Sequence, residues 1–190
     1  MEDARELATQ LGIRTELVNI QDIGEALFGK LGCDPGKPGE RMPAANVWAR
    51  VRMVVLYYYA NLRNLLVVGA GDRSEALIGY FTKHGDGAAD LLPIRHLYKT
   101  QVRELARHLG VPERIASKPS SPQLYPGHRA EDEIPLGYER LDPVLVSLFD
   151  RRQSPEQVSR LAGVPLEAVR EVLRRFERSG HKRVYPPTVR

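Results

Sequence analysis

Apolar residues recur at Ala4, Leu7, Ala8 and Leu11, a helical spacing, and Gly12 follows where such a helix can end. Thr15–Ile20 reads as a short strand and Gln21–Lys30 as a second helix. Cys33–Met42, rich in glycine, proline and charge, reads as a loop. Asn46–Asn61 is predicted as a long helix with Asn46 at its start. It carries Val47, Val51, Val54, Val55, Leu56 and three consecutive tyrosines. Leu65–Val68 is short and apolar, which fits a buried parallel strand. Gly69–Arg73 is then a tight turn, with Ser74 as cap of a helix running to about Tyr80. Thr82–Ala88 is a polar loop, and His96–Leu109 a helix with Tyr98, Val102, Leu105 and Leu109 on one side. Ser117–Pro135 is a long Pro/Ser/Gly loop, a kind more often functional than idle inside a compact domain.

The remaining pattern is helical: Tyr138–Phe149, then Ser154–Ala162 with Ser154 and Gln157 in capping-box spacing, ended by Gly163. Pro165 opens a last helix with Leu166, Val169, Leu173 and Phe176 on one face. Helix, strand, long helix, strand, helix predicts an α/β fold: a doubly wound, mostly parallel sheet flanked by helices. Such sheets place ligands at the C-terminal ends of their strands, which puts Gly69–Glu75 at a binding edge. Residues 1–190 read as a single domain, with a helical tail over 138–190 packing on it.

Composition narrows the partners. The 190 residues carry 28 Lys plus Arg against 24 Asp plus Glu, a formal charge of +4. That balance suits nucleotides better than a dedicated nucleic-acid binder, which concentrates a larger excess on one face. Cys33 is the single cysteine, so an internal disulfide or thiolate metal cluster is excluded. The histidines lack zinc-ligand spacing, and neither His84 nor His128 needs a metal role. The first ten residues do not read as a secretory signal, and no apolar run reaches the roughly 20 residues that span a bilayer. A cytoplasmic location is the expectation.

Four segments carry a more specific signal: NVWARVRM at 46–53, the block LLVVGAGDRSEALIGYFTKHGDGAADLLPIRHLYKTQVRELARHLGVPERI at 65–115, KPSSPQLYPG through DEIPLGYERLD at 118–142, and HKRVYPP at 181–187. Together they resemble the ammonia-dependent NAD synthetases of the ATP pyrophosphatase (adenine nucleotide alpha-hydrolase-like) group, across essentially the whole chain. The resemblance implies adenylation of deamido-NAD by ATP with Mg2+, followed by attack of ammonia to give NAD and AMP. It also implies a homodimer joined through the helix at Asn46–Asn61, with no nucleic-acid or membrane partner. In the family an SGGxDS loop near the N-terminus grips the pyrophosphate. This sequence has no such loop, and the resemblance implies that a strand–loop–helix unit should precede the first helix, through a fragment or a start placed too far downstream. The α/β fold is then expected to be incomplete at its N-terminus, with activity impaired.

Residue roles follow from the same resemblance. Glu75 is the expected Mg2+ ligand; a carboxylate suits that hard cation, although a first-turn acid also satisfies a helix dipole. Asp86 and Asp90 match acids near deamido-NAD, where carboxylates can accept from hydroxyl groups. Lys99 matches a lysine on nucleotide phosphate, and Lys83 is a similar candidate. Arg50 matches an arginine holding deamido-NAD across the dimer contact, Arg52 a tie to a neighbour, and Asn46 lies one turn before Arg50. Lys118 and Ser121 belong to a phosphate-contacting loop, and His181, Lys182 and Arg183 to a basic cluster closing the site. Glu75, Lys99 and Asp86 are the expected catalytic set.

Some positions depart from the family pattern. Ala70 stands where threonine is usual, Gly71-Asp72-Arg73 replaces a common G-N-K, and Pro122-Gln123 alters the residues after Ser121. Two other readings compete: a non-catalytic, dimerising relative of the synthetases, and a helix-turn-helix module over Ser154–Arg178 whose second helix carries four arginines on a basic side that would meet phosphates.

Overall fold

The computed structural model describes residues 2–37, 39–121, 127, 129–186 and 188. Helix α1 spans Glu2–Gln10, and the chain turns out of it at Gly12 (φ 65°). None of its side chains is fully buried; it is tethered by Asp3 and Glu6, which pair with Arg114 and Lys118. The strand expected at Thr15–Ile20 does not form: the residues find no neighbouring strand, and all but Ile20 are exposed. β-structure requires a partner, so a local pattern alone does not make a strand.

Helix α2, Gln21–Leu31, packs on α3, Arg41–Arg63. The contact requires glycine at position 24, where a Cβ would lie 2.0 Å from the Trp48 ring. Phe28 meets the same ring edge-on at 5.3 Å between centroids. Helix α3 begins five residues before Asn46, and therefore takes in part of the segment read as loop. Pro43 lies in its first turn, where a missing N–H costs no helix bond.

The expected strand at Leu65–Val68 is realised as a single parallel bridge, Val68 to Leu91. Gly69 N–H donates to Leu91 O (2.9 Å) and Asp90 N–H to Val67 O (2.9 Å). Among the described residues this is all that appears of the doubly wound sheet. The partner segment is only two residues long before Pro93, so the ladder cannot extend.

Helix α4, Arg73–Ile78, is capped by Asp72, not by Ser74 as expected, and ends before Tyr80. Gly79 stops it in the left-handed region (φ 68°), with its α-carbon so close to Ser179 that a Cβ would clash at 2.2 Å. Helix α5 is Lys99–His108 and α6 Glu113–Ala116; residues 92–97 form turns instead of the predicted first turn of α5. The segment 138–149 divides into α7, Tyr138–Leu145, and a wider π-turn, Val146–Asp150, with Pro143 supplying no N–H to the ladder. Helix α8, Pro155–Ala162, has the expected Ser154–Gln157 box and Gly163 terminus; α9 spans Leu166–Arg178.

The main core lies between α4 and the last three of these helices. Tyr138, Leu141, Val144, Leu145, Val158, Val169 and Val172 are fully enclosed, with Ile78 and Tyr98 at its edge. The residues at 138–178 thus form the floor on which the N-termini of α4 and α5 rest. Among the described residues no helix is long and apolar enough to cross a membrane.

Candidate active site

The sequence Asp72-Arg73-Ser74-Glu75 closes a capping box. Asp72 Oδ1 accepts from Glu75 N–H (2.9 Å), and Glu75 Oε2 accepts from Asp72 N–H (3.2 Å). That reciprocity leaves one oxygen of each carboxylate for Lys99, the first residue of α5. Its ammonium stands 2.6 Å from Asp72 Oδ2 and 2.7 Å from Glu75 Oε1, over the Tyr138 ring at 5.3 Å. Asp72 is 1% exposed, and the side chains of Lys99 and Glu75 are mostly covered.

Burial makes these charges interact strongly. Desolvation and the charge of Asp72 push the Glu75 carboxyl up, against the pull of Lys99. Burial alone would lower the Lys99 ammonium, but Glu75 and Asp72 more than offset it and hold it above its ordinary value. Desolvation also drives the Tyr138 phenol upward, and its hydroxyl has no hydrogen-bond partner among the described residues.

Glu75 and Lys99 open onto a cleft of about 840 Å³. Its walls are α3, the segment Val67–Ala70, the end of α4, the turn at Phe81–Asp86, Ser120–Ser121 and Lys182. Thr82 joins two walls: its hydroxyl donates to Asn46 Oδ1 (2.7 Å), and its N–H donates to Asp86 Oδ1 (2.8 Å). Lys182 donates to Gly79 O and Phe81 O, both at 2.8 Å, and burial lowers its ammonium. Arg183 holds the next carbonyls, Ala76 O and Leu77 O, so the basic cluster is pinned to the C-terminal end of α4.

Seven of the sequence candidates therefore line one cavity: Asn46, Ala70, Glu75, Asp86, Lys99, Ser121 and Lys182, joined by Arg52. Five do not. Arg50 opens onto a separate apolar groove between α2 and α3 and donates to Lys83 O (3.3 Å). The Asp90 carboxylate accepts from Val67 N–H (2.7 Å) and Tyr57 O–H (3.2 Å), bracing the bridge segment. Lys118 pairs with Asp3, the Lys83 carbonyl accepts from Arg50, and His181 is exposed. Pro122, Gln123 and His128 lie outside the described residues. The sequence reading missed Asp72 as a site residue, although Asp-x-x-Glu is a capping-box signature; it also missed Thr82 and Asp142.

Magnesium suits this donor set. Among the described residues no three His, Cys, Asp or Glu side chains converge on one point. A zinc or calcium cage is therefore not built, whereas magnesium is commonly held by one or two carboxylates plus phosphate oxygens and waters, which Glu75 can begin.

Solved structures place this architecture among the NAD synthetase folds of the adenine nucleotide alpha-hydrolase-like group. The chain superposes on the NMN synthetase of Francisella tularensis with a TM-score of 0.83 at 35% identity, covering 100% of this chain and 72% of that one. The NH3-dependent NAD synthetase of Campylobacter jejuni, solved with nitrate, gives a TM-score of 0.77 at 26% identity, covering 100% and 71%. The chain belongs to the NAD synthase family, whose model matches residues 1–186. A curated relative, the NH(3)-dependent NAD(+) synthetase of Hyperthermus butylicus, is 53% identical over 185 residues, 97% of this chain. The chain spans 66% of that relative's length.

The family match covers the α8–α9 pair as well, which a helix-turn-helix reading would set apart. Three of its arginines are engaged locally: Arg170 with Glu156, Arg174 with Glu167 and Glu171, Arg175 with Glu171.

Proposed function

We propose that the cleft binds ATP and deamido-NAD for ammonia-dependent NAD synthesis. The carboxylate of deamido-NAD attacks the α-phosphorus of ATP, forming an acyl-adenylate as pyrophosphate leaves. Ammonia then attacks the acyl carbon, AMP departs, and the nitrogen loses a proton to give the amide of NAD. With ATP as co-substrate, the reaction belongs in the cytoplasm. The observation that carries this reading is the Asp72–Lys99–Glu75 trio, of which Lys99 and Glu75 line a cleft large enough for a nucleotide.

Lys99 would meet negative charge on the phosphates from an enclosed, low-dielectric site, where a fixed cation is worth more than in water. Magnesium, held on Glu75, would supply neutralisation of polyphosphate charge. Asp86 and Asn46, linked through Thr82, would fix hydroxyl groups of the dinucleotide substrate. Lys182, Ser121 and Ala70 border the same volume, and Ala70 offers no hydroxyl to it. Lys83, Asp90, Lys118 and His181 remain candidates only through the family resemblance.

We further propose a homodimer through α3. That helix exposes Val54, Leu56, Tyr58 and Leu62, and an apolar groove of about 330 Å³ runs between it and α2. Arg50 opening onto this groove agrees with a role across the dimer contact.

Calorimetric titration of the chain with ATP, with and without Mg2+, and with deamido-NAD tests the reading. Binding of both, ATP tightening with Mg2+ and losing that dependence in Glu75→Gln, is the expected outcome. Absence of any binding of either ligand would overturn it. Nicotinic acid mononucleotide is titrated in parallel, because the Francisella relative is named an NMN synthetase; its preference over deamido-NAD would reassign the substrate.

A further inference from the structure

The N-terminus of α5 is where Lys99 leaves the backbone, and its own cap contact is the Tyr98 N–H donating to Gln101 Oε1 (3.0 Å), which leaves the amides of Lys99 and Thr100 to other elements. Tyr98, at its N-cap position, makes no side-chain cap bond. The first amides of the helix are satisfied from two other elements. Lys99 N–H donates to Ser74 Oγ in α4 (3.0 Å), and Thr100 N–H donates to Asp142 Oδ2 in α7 (2.8 Å). Ser74 O–H then donates to Asp142 Oδ1 (2.5 Å), which ties the two acceptors together. Ser74 is fully enclosed and Asp142 is 3% exposed, so water cannot replace either. The position of the first turn of α5 is set by this relay.

One turn before Asp142 on α7, Tyr138 lies under the Lys99 ammonium. A single face of α7 therefore holds Lys99 at both ends: Asp142 takes the backbone through Ser74 and Thr100, and Tyr138 receives the charge. Asp142 does not border the cleft and touches neither Lys99 Nζ nor Glu75. Burying a carboxylate costs free energy unless its hydrogen bonds are made, and those of Asp142 run to Ser74 and to the backbone and side chain of Thr100.

Resting on the nucleotide-site reading above, we propose that Asp142, acting through Ser74, is a positioning residue: it fixes the first turn of α5 against α4 so that the Lys99 ammonium reaches the cleft between Asp72 and Glu75. The geometry of the hydrogen bonds performs this task, so an amide of the same shape should serve. Asp142→Asn keeps a carbonyl oxygen for Thr100 N–H and turns an amide N–H towards Ser74 Oγ. Asp142→Ala removes both contacts.

The test reads Lys99 directly and then the ligand. Trace acetylation by acetic anhydride, followed by peptide mass spectrometry, gives the relative reactivity of Lys99 Nζ in the whole chain. Calorimetry gives the affinity for ATP with Mg2+, and circular dichroism confirms the fold. In Asp142→Ala, Lys99 should label about tenfold faster and ATP should bind about tenfold more weakly, the scale of one lost charge-assisted hydrogen bond. Asp142→Asn should stay within about threefold of the parent on both readouts. Ser74→Ala, which deletes one oxygen from the relay, should shift both in the direction of Asp142→Ala and serves if that variant does not fold.

A folded Asp142→Ala or Ser74→Ala protein with parental labelling and parental ATP affinity would overturn the proposal. So would an Asp142→Asn protein as perturbed as Asp142→Ala, because charge and not bond geometry would then be responsible. Labelling changes as expected in a chain that binds no ATP would uphold the positioning role and refute the nucleotide-site reading.

Discussion

Replacing Lys99 by methionine removes the one ammonium between two carboxylates while nearly preserving volume. Asp72 and Glu75 are then left as neighbours of like charge, one of them almost wholly buried. Breaking a buried pair by deleting one partner costs about 3–5 kcal/mol in enclosed settings. The Lys99 side chain keeps 15% of its exposure and that of Glu75 21%, so partial hydration lowers the expected cost to about 2–3 kcal/mol. For a chain of this length that is a fall in melting temperature of roughly 5–10 °C. Circular dichroism melts at pH 7, at low and moderate salt, provide the assay; enclosure should leave the loss nearly salt-independent. Adding Glu75→Gln to Lys99→Met should recover at least about 1 kcal/mol by removing one of the uncompensated charges, measured as a double-mutant cycle. A Lys99→Met melt within about 2 °C of the parent, or a double variant with no recovery, would mean the three charges are not coupled.

Between pH 10 and about 12 the chain should lose stability, because Tyr98 is pushed up to about 12 by burial and by its bond to Asp150, and Lys99 is also raised. Both contributions are intact below the unfolded values and vanish as pH passes the folded ones, so Tyr98→Phe and Lys99→Met should each flatten the alkaline limb of a melting-temperature profile. Gly79→Ala should cost more than about 2 kcal/mol in urea unfolding, since the left-handed backbone and the clash with Ser179 act together; a cost under about 0.5 kcal/mol would refute the close packing of α4 on the end of α9. Ser154→Ala should cost about 1 kcal/mol by the same assay, with activity untouched, because it removes only an exposed helix cap. Sedimentation velocity at tens of micromolar should show self-association through the apolar face of α3 and the Leu65–Val68 segment; a monodisperse monomer would count against it.

Local features were legible in the sequence wherever the stabilising partner is nearby. The Ser154–Gln157 box and the Gly163 stop need only a few residues, and both read correctly. Ser74 did not, because Asp72 and Ser74 are both good caps and the choice is tertiary: Asp142, 68 residues away, takes the serine hydroxyl and leaves the box to Asp72. The strand expected at Thr15–Ile20 failed for a related reason, since alternation describes a strand and only a neighbour makes one. Pro43 concealed the start of α3, although proline is tolerated in a first turn. Of the site, the family motifs brought seven candidates to one cavity. Asp90 and Lys118, which match the same motifs, are engaged in bracing contacts whose partners no spacing rule reveals.

If the cleft is the nucleotide site proposed above, the charge balance of the trio bears on which form of the nucleotide it would accept. Two carboxylates share one ammonium here, and desolvation, followed by the charge of Asp72, pushes the Glu75 carboxyl up. A bare triphosphate brought to this point would meet repulsion from Asp72 and Glu75 as well as attraction from Lys99, at distances where screening by salt is weak. A triphosphate carrying a divalent cation reverses the sign of one of those contacts. Glu75 gains a counter-charge, and Lys99 is released from sharing itself between two acids. Because Asp72 is the more deeply buried acid and also caps α4, it can keep its contact with Lys99 while Glu75 turns outward. In the proposed nucleotide site, the same two carboxylates would hold Lys99 in place before the nucleotide arrives and would make the cleft selective for the cation-bearing form.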